Sequence, residues 1–491
     1  MRRVNEVRPS VLLAVALPIA VGAFTLSGST LDLSAQVTPH PREMGLPTPE
    51  STRPDPSDYR VELANGLVAY VVADAAVPLV TLTAFIGAGY VDGPDGAAEV
   101  LAHGLRANGP AGLAPGAFHE SLRRMTADYS VALGPEQIEI TLDVPEEDAW
   151  GALALLSGML LRGPALSQAD IDALQSRAQP EGELIYDGSL AGAASMHRRG
   201  VLGGGAYGSE PTPADYGQLS LRDVDAYRSR FLVAENVALA VAGPLTMASV
   251  EAALAEGLAG MASGSRHERS RSAVTDAPTE RSVHTYPAEK LQGWLVIGHE
   301  LPVVPEEDEA ALQVMNYILG GGHFDTRLFR ATRDRRGLTN DDSGFLEMNR
   351  DGPGTYQFQT YGRPEVVRLL LHLTLEEIDR IRAEPVTEEE LFVAKGALAD
   401  GVFAAGYRDG WAAARTLAQE WVRDGSHEAS ASYQDRIRSV TAADVLEAAR
   451  RYLHPERMTT VLVGPLDEIG SAPAMENEGS LSDYGRVSGG R

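Results

Sequence analysis

The sequence predicts an α+β protein made of two homologous mixed sandwiches, each a mainly antiparallel sheet with helices packed on one face. Three observations lead there. A helix-then-strand unit occurs twice: "DVDAYRSRFLVAENVALAVAGPL" from Asp223 aligns without gaps to "DVLEAARRYLHPERMTTVLVGPL" from Asp444, which reads as an internal duplication. Strand-type and helix-type periodicities are interleaved within each half, the pattern of helices laid on a sheet. Finally, 491 residues with 44% hydrophobic and 22% charged side chains suffice for two separate cores.

Taken in order, Arg2, Arg3 and Arg8 precede an apolar run from Val11 to Leu26, with Ser34 and Ala35 as a small-residue cleavage site before Gln36. The run is about 16 residues and is interrupted by Pro18 and Gly22, against roughly 20 needed to span a bilayer. Residues 1–35 therefore read as a signal peptide, with an uncleaved anchor as the alternative. Residues 36–57 are a Pro-rich linker.

The N-terminal domain is expected over 58–261. It opens with "YRVELANGLVAYVV", alternating about Asn65-Gly66 as a type I′ hairpin would, and "LVTLTAFI" from Leu79 to Ile86 continues as a strand. Helical periods follow over Ala97 to Arg106, Ala117 to Met125, Glu146 to Leu161 and Gln168 to Ala178, with the strand "QIEITLDV" among them. A polar linker is expected at 262–282, a C-terminal domain at 283–470 and a disordered Gly/Ser/Glu-rich tail at 471–491.

Composition excludes several classes. There is no cysteine, so disulfides, a lipidated N-terminal Cys and thiolate-bound zinc are ruled out. The net charge is -26, and Lys290 and Lys395 are the only lysines, which argues against a nucleic-acid partner. The glycine runs Gly203 to Gly205 and Gly320 to Gly322 lack a following Lys-Ser/Thr and read as turns. No G-x-S-x-G elbow is present.

The stretch "GAAEVLAHGLRANGP", the duplication and the segment "NYILGGGHFDTRLFRATRDRRGL" together resemble the insulinase (pitrilysin) family of zinc peptidases. The short two-domain branch that includes the mitochondrial processing peptidase is the nearest in form, and its processing peptidase-like metallohydrolase fold is the one expected. Family members carry H-x-x-E-H on a helix. Two histidines four apart grip zinc on one face, and the glutamate between them is the general base. Here the frame reads Glu99, Val100, Leu101, Ala102, His103. Glu99 replaces the first ligand, Ala102 replaces the base, and His103 alone persists. No two of the eleven histidines are four apart, so the motif is not supplied elsewhere.

The resemblance puts the third ligand near "QPEGEL", at Glu181 or next at Glu183, where Pro180 and Gly182 disfavour a helix. Glu99, His103 and Glu181 are thus a vestigial metal set. No cofactor is expected, although active relatives hold zinc. Without a family metal site, Glu99 and His103 read as a Glu-His i,i+4 surface pair. The resemblance also implies substrate binding by Arg333, with Asn340 standing where relatives have a tyrosine.

These readings together imply an exported protein, periplasmic or membrane-associated on the periplasmic side, that is a non-catalytic peptide-binding subunit of a heteromeric zinc protease. Its partners would be a zinc-bearing paralogous subunit and unfolded peptides, with membrane contact only if the signal segment is uncleaved. The alternatives are a stand-alone peptide-binding or scaffold protein, and an atypical metallopeptidase with weak activity.

Overall fold

Two six-stranded sheets organise the chain in a computed structural model that describes residues 53–178, 190–203, 205–274 and 277–489. The signal-peptide segment and most of the Pro-rich linker lie outside the described residues. The first sheet contains β1 (Arg60–Glu62), β2 (Val68–Ala73), β3 (Leu79–Ile86), β4 (Asp128–Leu133), β5 (Ile138–Pro145) and β6 (Val237–Gly243), in the order β1-β2-β6-β3-β5-β4. The second contains β7 (Ser282–Pro287), β8 (Gly293–Leu301), β9 (Asp342–Glu347), β10 (Gly354–Gly362), β11 (Thr459–Gly464) and β12 (Arg486–Gly489), in the order β12-β7-β11-β8-β10-β9.

The sequence repeat fills the same place in both sheets. Helices Leu221–Phe231 and Ala442–Tyr452 each start in a capping box, Ser220 with Asp223 and Thr441 with Asp444, and each feeds a central strand, β6 or β11. β6 runs parallel to β2 and antiparallel to β3, and β11 treats β7 and β8 in the same way. The shared Gly-Pro-Leu has a steric cause. A side chain on Gly243 would meet Leu79 O, and one on Gly464 would meet the backbone of Gly293.

Each sheet packs one face on helices of its own half, giving two cores. The opposite face of each is covered by a helix from the other half. Helix Gly410–Asp424 lays Ala414, Leu417, Ala418 and Val422 on Val68, Tyr70, Phe85 and the Ala238-Ala240-Ala242 row. Helix Leu190–Leu202 lays Ala193 and Met196 on Tyr286, Val296, Val461 and Val463. The halves therefore interlock, and Pro49–Arg491 forms one compact unit. Among the described residues no helix is long and apolar enough to cross a membrane.

Local expectations are corrected in three places. The turn between β1 and β2 is not type I′. Gly66 alone has φ of +90°, Gly66 N donates to Leu63 O and Leu63 N to Leu67 O, which is a type I turn closed by a glycine bulge. Asn65 is diverted to hold Leu258 O through its amide. The second glycine run is no free turn either: Tyr317–Gly321 extends helix Glu306–Asn316 by one π turn, and Gly320 lies so close to β9 that a Cβ would stand 2.8 Å from Gly344 N.

The expected disordered tail is the third. It runs back along the second half, with Glu478 capping the amides of Met475 and Glu476, Tyr484 buried, and β12 added to β7.

One backbone position is strained. Thr126, exposed just before β4, has φ of +44°, a conformation that costs a β-branched residue about 1–2 kcal/mol. Thr126→Gly relieves this at some cost in unfolded-chain entropy, so a net gain of about 0.5–1 kcal/mol is expected as a higher urea midpoint. An unchanged or lower midpoint would show that the Thr126 side chain holds the turn.

Candidate functional site

The degenerate motif lies on helix Ala97–Asn108, which follows β3 through a tightly fixed turn. Gly89 has no room for a side chain, because a Cβ would stand 2.2 Å from Pro135 O. Asp92, almost fully buried, receives Gly89 N at 2.7 Å and is gripped by Arg269 at 2.6 and 2.7 Å and by His267 at 2.9 Å. Gly96, the N-cap, has φ of +90° and lies against the Tyr216 ring, so the helix start admits only glycine without adjustment.

The three motif positions diverge in their surroundings. Glu99 is mostly covered, and its Oε2 is buried with no hydrogen-bond partner. Burial, followed by the nearby acids Asp95 and Glu210 and against the pull of local backbone donors, pushes its carboxyl up to about 7. Three tyrosines feel its charge. Tyr90 is itself raised to about 12 by burial, with Arg198 opposing, and Tyr216 and Tyr227 are raised chiefly by burial and then by carboxylates.

Ala102 is packed into the first core at 2% exposure, and its methyl offers no group that could act as a base. His103 turns to helix Gln168–Gln175: its Nε2 is 3.8 Å from Asp170 Oδ1. Asp170 also accepts from Asn108 Nδ2 at 2.9 Å and from Ser167 N at 2.7 Å. The expected Glu99–His103 surface pair is thus replaced by two separate environments, one phenolic and one a helix cap.

These residues do not fit the family's zinc set. Among the described residues no three His, Asp or Glu side chains converge on a point where an ion could sit. Glu181 and Glu183 lie outside the described residues. Chemically, Glu99 offers a carboxyl that holds its proton close to neutrality, and no base stands at Ala102 to activate water.

In the second half the structure brings Arg333 and Asn340 together, though through the main chain. Arg333 Nη1 donates to Asn340 O at 3.4 Å, and the guanidinium lies over Phe329, 5.3 Å from the ring centre. Three of the neighbouring arginines have acidic partners: Arg327 pairs with Glu390, Arg330 with Asp325 and Arg336 with Glu476. Arg333 makes no ion pair among the described residues, so its remaining donors are open to a ligand. Asp342, fully buried at the start of β9, has a carboxyl pushed up to about 8 by burial.

Sequence reading missed the residues that hold the halves in register. Glu136, at the β4–β5 turn, accepts from Tyr207 OH at 2.7 Å and from the amides of Arg350 and Asp351 at the β9–β10 turn. Arg198 pairs bidentately with Glu347, and Arg415 with Glu139. Nothing in local periodicity marks such contacts, because each joins positions far apart in the chain.

β4 is an outer strand, and one of its carbonyls, Val131 O, is held by Arg106 Nη2 at 2.6 Å. Any strand adding there must displace that guanidinium.

Comparisons with known proteins agree with this architecture. Residues 218–398 match the family model described as the peptidase M16 inactive domain. Curated relatives from Mycobacterium bovis and two strains of Mycobacterium tuberculosis, each named an uncharacterized zinc protease, are 28% identical over 167 residues. That match spans 34% of this chain and only 37% of theirs.

Among solved structures, the chain resembles a peptidase M16 inactive domain from Pseudomonas fluorescens (TM-score 0.68, 21% identity, 83% of this chain and 97% of that one). It also resembles a protease from Helicobacter pylori (TM-score 0.68, 17% identity, 83% and 99%). The same fold occurs in complex III2 from Candida albicans (TM-score 0.63, 14% identity, 84% and 97%). The two matching sheets and the match over residues 218–398 support an insulinase-family peptidase-like protein.

Proposed function

We propose that this protein is a non-catalytic, peptide-binding subunit of an exported heteromeric zinc protease, its two halves copies of one duplicated unit. The observation that carries the reading is the pairing of a retained fold with a dismantled centre. Glu99 sits among tyrosines, Ala102 is packed in the core and His103 is tied to Asp170, while Arg333 keeps donors free. The repeat at the centre of both sheets supports the duplication, and the N-terminal segment supports export.

A zinc-bearing paralogue would supply the chemistry, and this chain would hold substrate backbone from the metal-free side. Extended peptide would add along the Thr126 to Leu133 edge, displacing Arg106 from Val131 O, with main-chain hydrogen bonds giving affinity without sequence preference.

The test is co-expression with an exported relative that carries an intact H-x-x-E-H. A heterodimer with peptidase activity absent from either chain alone is expected. In it, Arg333→Ala lowers turnover about tenfold, the scale of one lost charge-assisted hydrogen bond, while assembly is unchanged. A partner that is fully active alone and never co-purifies would overturn the subunit reading and leave the stand-alone binding protein.

A further inference from the structure

The outer edge of β7 is filled differently from its counterpart. In the first sheet the edge beside β2 is closed by β1, its antiparallel hairpin neighbour. In the second, the edge beside β7 is closed by β12, which arrives from the far end of the chain and runs parallel, Val487 opposite Val283. All four β12 residues are exposed, so the strand buries no apolar side chain. Its side-chain links to β7 are polar: Ser488 Oγ with His284 Nδ1 at 2.9 Å, and Thr285 Oγ1 to Ser488 O at 3.2 Å.

The chain leading into β12 is anchored on its own. Tyr484 is buried and its hydroxyl accepts from Gly479 N, the Glu478 carboxylate holds two amides, and Glu476 binds Arg336 at 2.6 and 2.9 Å. Arg336 in turn holds Ala331 O, in the segment that carries Arg333.

We propose that the β7 edge is a second strand-acceptor site, occupied in cis by Arg486–Gly489 and open to an extended polypeptide that displaces it. Main-chain pairing without buried side chains can be reproduced by many sequences, so the site takes extended peptide with little side-chain selectivity. Because the preceding strap keeps its own anchors, β12 can leave while residues 472–485 stay in place. The tethered strand competes at high effective concentration, so the intact chain presents the site weakly.

The experiment uses fluorescein-labelled peptides of the sequence from Tyr484 to Arg491 and of a scrambled order, followed by anisotropy. A chain ending at Gly485 is expected to bind both, within about threefold of each other and at least about tenfold more tightly than the intact chain. Arg486 N donates to Arg281 O, so by the two-residue period of a strand Ser488 N also faces β7. Ser488→Pro in the intact chain, which removes that main-chain donor, should behave like the shortened chain.

No binding to either variant overturns the proposal, as does binding of the native order alone or equal binding by the intact chain. If the shortened chain fails to fold, Ser488→Pro decides. The assay needs no partner and does not involve Arg333, so it can fail while the subunit reading stands, and the reverse holds equally.

Discussion

Replacing Glu99 by glutamine is expected to stabilise the protein at pH 8 by about 2–3 kcal/mol and to change little at pH 5. The carboxyl titrates near 7 in the folded protein, against 4.5 as its ordinary value, because burial and the acids Asp95 and Glu210 disfavour its charge. The sign follows from proton counting. Between 4.5 and 7 the folded state binds more protons than the unfolded one, so this residue's contribution is whole below 4.5 and is lost as pH rises through 7.

Glutamine keeps the shape and removes the charge. Urea midpoints of both proteins at pH 5 and pH 8 measure the difference directly. A variant equally stable or weaker at pH 8 would mean that Glu99 is charged and has a partner, and a tightly bound cation abolished by Glu99→Gln would restore the metal reading.

Acidification from pH 7.5 to 5 is expected to cost several kcal/mol through two histidines buried on opposite faces of the second sheet. His197, on Leu190–Leu202, is fully buried and is lowered to about 4. His299, on β8, points to the other face, against Tyr356 and His454, and is lowered to about 3. Burial is the main cause in both, and for His299 the charges of His454 and Arg457 add to it.

Neither ring nitrogen of His197 reaches good hydrogen-bond geometry, although backbone groups of Gly298 and Thr459 are near, whereas His299 Nδ1 meets Glu300 O at 2.6 Å. Both imidazoles stay neutral when folded, so from about 6.5 downward the unfolded state takes up protons that the folded state refuses. The contribution is intact above 6.5 and decays as pH falls towards 4, by about 3 kcal/mol for each group. Glu99 and Asp342 act in the opposite sense, so the histidine part must be isolated by substitution.

His197→Leu should hold or raise stability at pH 7.5, since it removes two unsatisfied buried nitrogens, and should flatten the loss between pH 6.5 and 5. An unaltered acid limb in that variant would place the titration elsewhere.

The site was legible in the sequence to the extent that chemistry is carried by residue type. The family resemblance puts Glu99 and Ala102 in the places of ligand and base and leaves His103 alone, on the residues of one helix. Where those side chains go was not. The tyrosines around Glu99 come from three other segments, and Asp170 reaches His103 from helix Gln168–Gln175, with no local signal for either. Arg333 was chosen from the family resemblance, and only the structure shows that Arg327, Arg330 and Arg336 are taken up by Glu390, Asp325 and Glu476. The tail was misjudged because composition reports the absence of apolar side chains, whereas β12 is held through its backbone.

By itself the sequence determined the elements and their repetition. Periodicity, the Ser/Thr-Asp capping boxes and the paired Gly-Pro-Leu act within a few residues, and these local preferences persist whatever the chain packs against. Only the tertiary structure decided that each half lends a helix to the other's sheet. It also decided that a lone glutamate would be buried in a low-dielectric pocket and that the last strand would close an edge. Those outcomes depend on which distant surfaces meet, because burial, desolvation and strand pairing are properties of contacts between segments.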